Sequence, residues 1–328
     1  MSTDGISIDV WGGEEQHLGQ IGHASRPTRI LGRASAEAGI DSVSYAINGR
    51  GRFPVSVGPS AFRLGRDGDF CLEFSRDRLV QGENVITLWA NDREGAELES
   101  QIKIHIDKNT RWPLPFETDW ANAERPQDLC EIADGCWGIE HGGLRTLEPG
   151  YDRMVAIGDV RWRHYEITAT VTIHDVDRSP RVLGWPSMGP AFGVQVRWEG
   201  HHDWGDIKPA RGWFPFGAMA RLEHDEDLPE SEMRFRLRGP GFVEPLAAEA
   251  HGRHVEPGMS FVFRVASQTG PDGRGVYGAS VWHADEPEPE TPQLTARGLD
   301  RETPAGSAVI MAHHTDVTIG RVRAEPLG

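Results

Sequence analysis

The sequence predicts an all-β protein, and three observations carry that prediction. Gly (39) and Pro (22) are plentiful in 328 residues, and apolar residues come in short runs separated by turn chemistry. Several runs alternate strictly. The clearest sets Tyr165, Ile167, Ala169, Val171 and Ile173 against Glu166, Thr168, Thr170, Thr172 and His174, a period of two that suits a strand and not a helix. The pattern then recurs to the end of the chain, with roughly a dozen strands after position 109, which implies two packed antiparallel sheets.

Charge and cysteine usage narrow the function classes. The formal charge is −16, which argues against nucleic acid, because phosphate binding needs a basic surface. Residues 1–109 hold 12 basic and 16 acidic side chains and the remainder 22 and 34, so most of the acidity lies in the second part. No stretch approaches membrane-spanning length. MSTDGISIDVWGG lacks the basic start and apolar run of a signal peptide, so the expectation is a cytoplasmic protein. Cys71, Cys130 and Cys136 form no even disulfide framework and are expected as reduced thiols.

The first strands read as ISIDVWG, TRILGRASA, DSVSYAING, FRLGRDGDFCLEF, NVITLWANDREG and LESQIKIHID. Short strands broken by Asn-Gly, Asp-Gly and Gly-Glu-Asn indicate a β-sandwich. His17 and His23 lie six apart in the glycine-containing segment EEQHLGQIGH; the pair could ligate a metal, though loop histidines usually do not. The boundary falls near DKNTRWPLPFET, where Pro113 and Pro115 follow the last alternating strand, giving units 1–109 and 110–328. The order of Tyr45 to Gly49, Asp67 to Phe70 and Leu79 to Gly95 resembles bacterial immunoglobulin-like or fibronectin type III-like modules.

In the second unit, Trp137, Ile139 and the glycine pair 142 and 143 open a stretch that runs to Ile173. Phe192, Val194, Val196 and Trp198 are expected on one face of a strand, with Gly193, Gln195 and Arg197 opposite. Met233, Phe235 and Leu237 alternate with Arg234, Arg236 and Arg238. If Glu166, Gln195, Arg197 and Arg236 share a sheet, they form one polar floor. Gly200 to Glu230 reads as a long loop carrying His201, His202, Asp203, Trp204, Arg211 and Trp213. Trp rings suit the apolar faces of pyranoses, and Arg, Asp and His suit hydroxyls or carboxylates. Asp152 is read as a turn or ion-pair residue, while Arg153 is open between a structural role and orienting a sugar, or a carboxylate by a bidentate contact. Of His313 and His314, one is expected to reach the ligand face while the other packs.

Phe116, Trp120, Trp137 to Leu144 and Gly306 to Val322 are similar to landmarks of concanavalin A-like lectin/glucanase domains, laminin G-like members included. The resemblance implies a jelly roll with a concave, glycan-binding sheet and a structural Ca²⁺, for which Glu117, Asp119 and Asp316 hold the matching positions. The Glu-x-Asp-x-x-Glu signature of the family's retaining glucanases is absent: Glu223, Asp225 and Glu230 have other spacings and read as part of a charged loop.

Three functions fit these features. The first is carbohydrate recognition on the second unit, with Arg153, Gln195, Arg197, Trp204, Trp213 and Arg236 as substrate-binding residues. The second is a glycan-active hydrolase or lyase on the same face, with Glu166 as acid/base and His201 or His314 positioning substrate. The third is a non-catalytic scaffold, with the first unit supplying the contact of a homo-oligomer.

Overall fold

The computed structural model describes residues 5–60, 62–178, 189–201, 216–240, 245–299 and 302–328. Its strands fall into two groups. The first comprises β1 (Ser7–Val10), β2 (Glu15–Leu18), β3 (Pro27–Ser35), β4 (Ile40–Ile47), β5 (Arg50–Val55), β6 (Asp69–Ser75), β7 (Gly82–Asp92) and β8 (Glu97–Ile106). The second opens with β9 (Phe116–Glu117), β10 (Glu131–Asp134), β11 (Trp137–Glu140), β12 (Gly143–Thr146), β13 (Arg153–Ile157), β14 (Tyr165–Val176) and β15 (Ala191–Trp198). It continues with β16 (Ala218–Glu223), β17 (Glu232–Arg238), β18 (Pro245–His254), β19 (Ser260–Thr269), β20 (Gly275–His283), β21 (Leu294–Arg297), β22 (Ser307–His313) and β23 (Thr315–Pro326). The chain is all-β, and no helix among the described residues is long and apolar enough to cross a membrane.

The first group makes a three-stranded sheet, β1-β3-β6, and a five-stranded sheet, β2-β8-β7-β4-β5. Alternation decides which side chains meet between them. Ile30, Phe70, Leu72 and Phe74 of the smaller sheet share a buried cluster with Val43, Tyr45, Ile86, Leu88, Ile102 and Ile104 of the larger. Val85, Thr87 and Trp89 occupy the opposite register. The β4–β5 hairpin turns on Asn48 (φ 50°) and Gly49 (φ 71°), the two positive-φ positions that a two-residue hairpin needs. β2 and β5 form in segments where the sequence pattern shows no alternation.

The second group makes a seven-stranded sheet, β10-β13-β22-β15-β16-β17-β18, and an eight-stranded sheet, β11-β12-β23-β14-β19-β20-β21, with β9 added beside β23. Tyr165, Ile167, Ala169, Val171 and Ile173 of β14 are all buried in the cluster that also holds Phe192, Val194, Phe235 and Ile310. The β11–β12 turn falls on His141 (φ 50°) and Gly142 (φ 75°). Gly143 therefore belongs to the strand and not, as its neighbour suggests, to a Gly-Gly turn. Cys71, Cys130 and Cys136 are free thiols.

The two groups meet through a buried ionic junction. The outward side of β3 and β6 presents Arg29, Leu31, Cys71 and Glu73 to β10 of the second group. Arg63, on the segment before β6, reaches Asp134 at 2.5 Å, Glu73 at 2.9 Å and the Ala133 carbonyl at 3.1 Å. Arg29 joins Glu73 at 3.0 Å to Glu131 at 3.3 Å. Burial works against ionised Glu73, yet Arg29 and Arg63 hold its carboxyl at about 2, below the ordinary 4.5. Burial, first of all, pushes the Cys71 thiol up to about 12, with Arg63 opposing. The connecting segment is pinned as well: the Trp112 amide donates to Asp159 at 3.0 Å, and His23 bonds the Asp107 carbonyl at 2.7 Å.

Candidate functional site

The register of the seven-stranded sheet lays out its outward face, the one turned from the eight-stranded sheet, in rows. Residues opposite one another on neighbouring strands share a face. One row runs Val309, Gln195, Met219, Arg238; the next runs Met311, Gly193, Arg221, Arg236; the third runs His313, Ala191, Glu223, Arg234. Small residues at 191 and 193 sit between the histidine side and the arginine side. Gly193 is enforced by packing, because a Cβ there would stand 2.2 Å from the Ala220 carbonyl oxygen.

Glu223 organises the arginine side. It accepts from Arg221, from Arg236 at 2.6 Å and from Arg238 at 3.0 and 3.1 Å. Burial opposes its charge, and Arg221 and Arg238 overcome that, holding the carboxyl at about 2. Burial lowers the pKa of Arg221, the most enclosed of these cations. Asp225 extends the network to Arg234 and Arg236.

On the histidine side, His313 Nδ1 lies 2.7 Å from Asp152 Oδ1, with both residues buried. A carboxylate accepts only, so Nδ1–H donates to it. The Tyr151 ring packs edge-on against His313 with centroids 4.8 Å apart. Next to it, His314 sits at φ 51° with Nε2 buried and without a hydrogen-bond partner. Burial, then the neighbouring His313, lowers its pKa to about 4.

Between the two sides lies Gln195. Its side chain is 0 % exposed, and neither Oε1 nor Nε2 has a hydrogen-bond partner. A buried amide left unpaired costs about 1–3 kcal/mol per group. It is the one buried side-chain amide among the described residues with both its oxygen and its nitrogen unpaired.

The expected residues divide accordingly. Gln195 and Arg236 come together on this face. Glu166 does not join them: it stands on the outward face of the opposite, eight-stranded sheet, across from Glu325 and Ala266. Its pKa is raised by burial, with Arg264 opposing and Glu288 and Glu325 adding. Arg197 is also displaced. A bulge between Gln195 and Trp198 sets it at φ 58° and turns its side chain to Ser267 (2.6 Å) and Thr269 (3.0 Å) of β19. The same bulge takes Trp198 away from Phe192, Val194 and Val196, under the Arg29 guanidinium. The four-residue floor of Glu166, Gln195, Arg197 and Arg236 is therefore not formed.

Arg153 holds the Glu148 and Arg63 carbonyls, at 2.9 and 3.0 Å, in the junction between the two groups. His201 lies in the same junction, 3.4 Å from Asp134, its pKa lowered first by burial and then by Arg63. Trp204 and Trp213 lie outside the described residues. Part of the segment read as a loop is strand β16, which carries Glu223. The alternation of Ala218, Ala220 and Leu222 with Met219, Arg221 and Glu223 is the signal that reveals it.

The calcium expected at Glu117, Asp119 and Asp316 does not fit these residues. Glu117 forms a two-pronged pair with Arg321 (2.7 and 3.0 Å), and Asp119 accepts from Asn122 at 2.7 Å. Asp316 pairs with Arg145 at 2.8 Å. Because Glu117 faces Arg323 on β23, Asp316 is seven residues away along that strand, about 23 Å at ~3.3 Å per residue. No ion spans that gap.

The sequence matches no protein-family model and no curated protein. Among solved structures, the chain is similar to the calcium-bound exoplasmic/lumenal domain of VIP36, at 12% identity over 61% of this chain and 84% of that one, with a TM-score of 0.40. It is also similar to the Crh5 transglycosylase in complex with NAG, at 9% identity over 67% and 89%, with a TM-score of 0.33. A third is a carbohydrate-binding module of the β-sandwich superfamily, at 8% identity over 99% and 98%, with a TM-score of 0.22. These scores lie below the level at which a shared fold would follow.

Proposed function

We propose that this chain binds a carbohydrate on the outward face of the seven-stranded sheet, centred on Gln195. The observation that carries the reading is the buried, unpartnered amide. Its carbonyl accepts and its NH2 donates, which matches a pair of saccharide hydroxyls, each of them both donor and acceptor. Arg236 and the Glu223 network supply fixed, planar polar groups on the same face. Trp204 and Trp213 remain candidates for stacking on a pyranose. In this reading, residues 1–109 are an immunoglobulin-like sandwich that braces a concanavalin A-like unit, 110–328; the separate apolar clusters of the two groups support that division.

Calorimetry against a broad panel of neutral and acidic oligosaccharides tests the proposal. At least one should bind the full chain and lose affinity in Arg236→Ala; silence across the panel would end the reading. The Asp152–His313 pair favours a second reading, in which the same face transforms its ligand with His313 as base. Mass spectrometry of the panel after incubation separates the two: a product lost in Asp152→Asn supports turnover, and intact sugars support binding alone.

A further inference from the structure

A second candidate site lies on the first group of strands, far in sequence from the Gln195 face. β2 is an edge strand and runs parallel to β8, with Glu15 opposite Lys103 and His17 opposite His105. The two imidazoles stack with centroids 4.7 Å apart and planes 13° apart. Both Nε2 atoms turn toward Glu15 Oε1, His105 at 3.2 Å and His17 at 3.7 Å. The donor atoms of these three residues lie within 4.8 Å of one another, and this is the one such cluster of three among the described residues.

From this arrangement we infer that Glu15, His17 and His105 form a binding site for a divalent transition metal of the zinc class. Two imidazole nitrogens and a carboxylate oxygen are borderline ligands that favour zinc and its neighbours over calcium or magnesium. Zinc takes such donors at about 2.0–2.2 Å. Closing on an ion therefore asks each donor to move by about an ångström, which partly exposed side chains on a sheet surface accomplish through rotamer changes. Three protein ligands leave a fourth tetrahedral position for water or an incoming ligand.

The surroundings are compatible with a cation. Glu83 of β7 stands directly across from His105 on the same face, exposed, and adds a second carboxylate at the rim. Two cations are near. Lys103 is exposed opposite Glu15, and Arg125 is engaged with the Glu15 carbonyl and with Asp128. The glycine-containing segment offers His23 as the obvious companion of His17, yet His23 is turned to the Asp107 carbonyl. The pairing that matters comes from β8, 88 positions later in the chain.

Zinc chloride titrated into the full chain in chelator-free neutral buffer should give one saturable site. Its binding should raise the melting temperature, because an ion held by the folded form alone stabilises it. Calcium and magnesium should leave the melting temperature unchanged. The His17→Ala/His105→Ala double variant should keep the metal-free melting temperature and lose the site, and Glu15→Gln should weaken it. Cobalt(II) gives a readout on the unmodified chain, since a tetrahedral site absorbs far more strongly than the hydrated ion. Unchanged zinc stoichiometry and affinity in the double variant, or a cobalt spectrum identical to that of the free ion, would overturn the assignment.

Discussion

Arg63→Ala is expected to lower the stability of the chain by about 3–5 kcal/mol, the loss typical when one partner of a buried ion pair is removed. The Arg63 side chain is 3% exposed, and it faces Glu73 and Asp134, whose side chains are 8% and 1% exposed. Without the guanidinium, Asp134 keeps its place at the junction with its main cation gone. Chemical denaturation measures the loss. Arg63→Met combined with Asp134→Leu should recover part of it, because removing both charges avoids stranding either one.

The same network sets an acid limit. Glu73 is held at about 2 against an ordinary 4.5. A carboxyl depressed on folding contributes stability that is complete above its unfolded value and disappears as pH falls through its folded one. The wild-type chain should therefore lose this contribution between about pH 4.5 and pH 2. In Arg63→Ala, where one of the two arginines on Glu73 is gone, the loss should be complete at a higher pH and smaller in size.

Glu223→Ala should be comparably damaging, again by about 3–5 kcal/mol, and it bears on the proposed site. Glu223 is the common acceptor of Arg221, Arg236 and Arg238. Removing it takes from three guanidinium groups in a buried sheet face the carboxylate they share. Glu223→Gln retains an acceptor oxygen and should cost less. Denaturation midpoints rank the variants, and calorimetry with a bound saccharide should show both weakened, alanine more than glutamine.

How much of this was legible depends on whether the determining contact is local. β14, β17 and β19 announce themselves by alternation, and Asn48-Gly49 by the turn chemistry it requires. Period-two counting puts Gln195 and Arg236 each on the polar side of its own strand, and the pairing of β15, β16 and β17 makes that one face. Arg197 defeats that count because a bulge resets the register, and a non-glycine residue at φ 58° leaves no local signature. Glu223 was hidden differently: its strand is flanked by Asp225 and Glu230, so acidity masked the alternation of Ala218, Ala220 and Leu222. The Asp152–His313 bond joins positions 161 apart, and the His17–His105 stack depends on a parallel pairing that strand patterns do not specify. Glu166 has the register expected of it. Its sheet is the other one, and strand order, not alternation, decides that.

Gln195→Met tests the central claim most directly. The substitution keeps length and volume while removing an amide that has no partner in the folded chain, so stability should hold or rise. Binding of the tightest saccharide from the panel, measured by calorimetry on the same sample, should be lost. Wild-type affinity in Gln195→Met, or a marked fall in its melting temperature, would contradict the account.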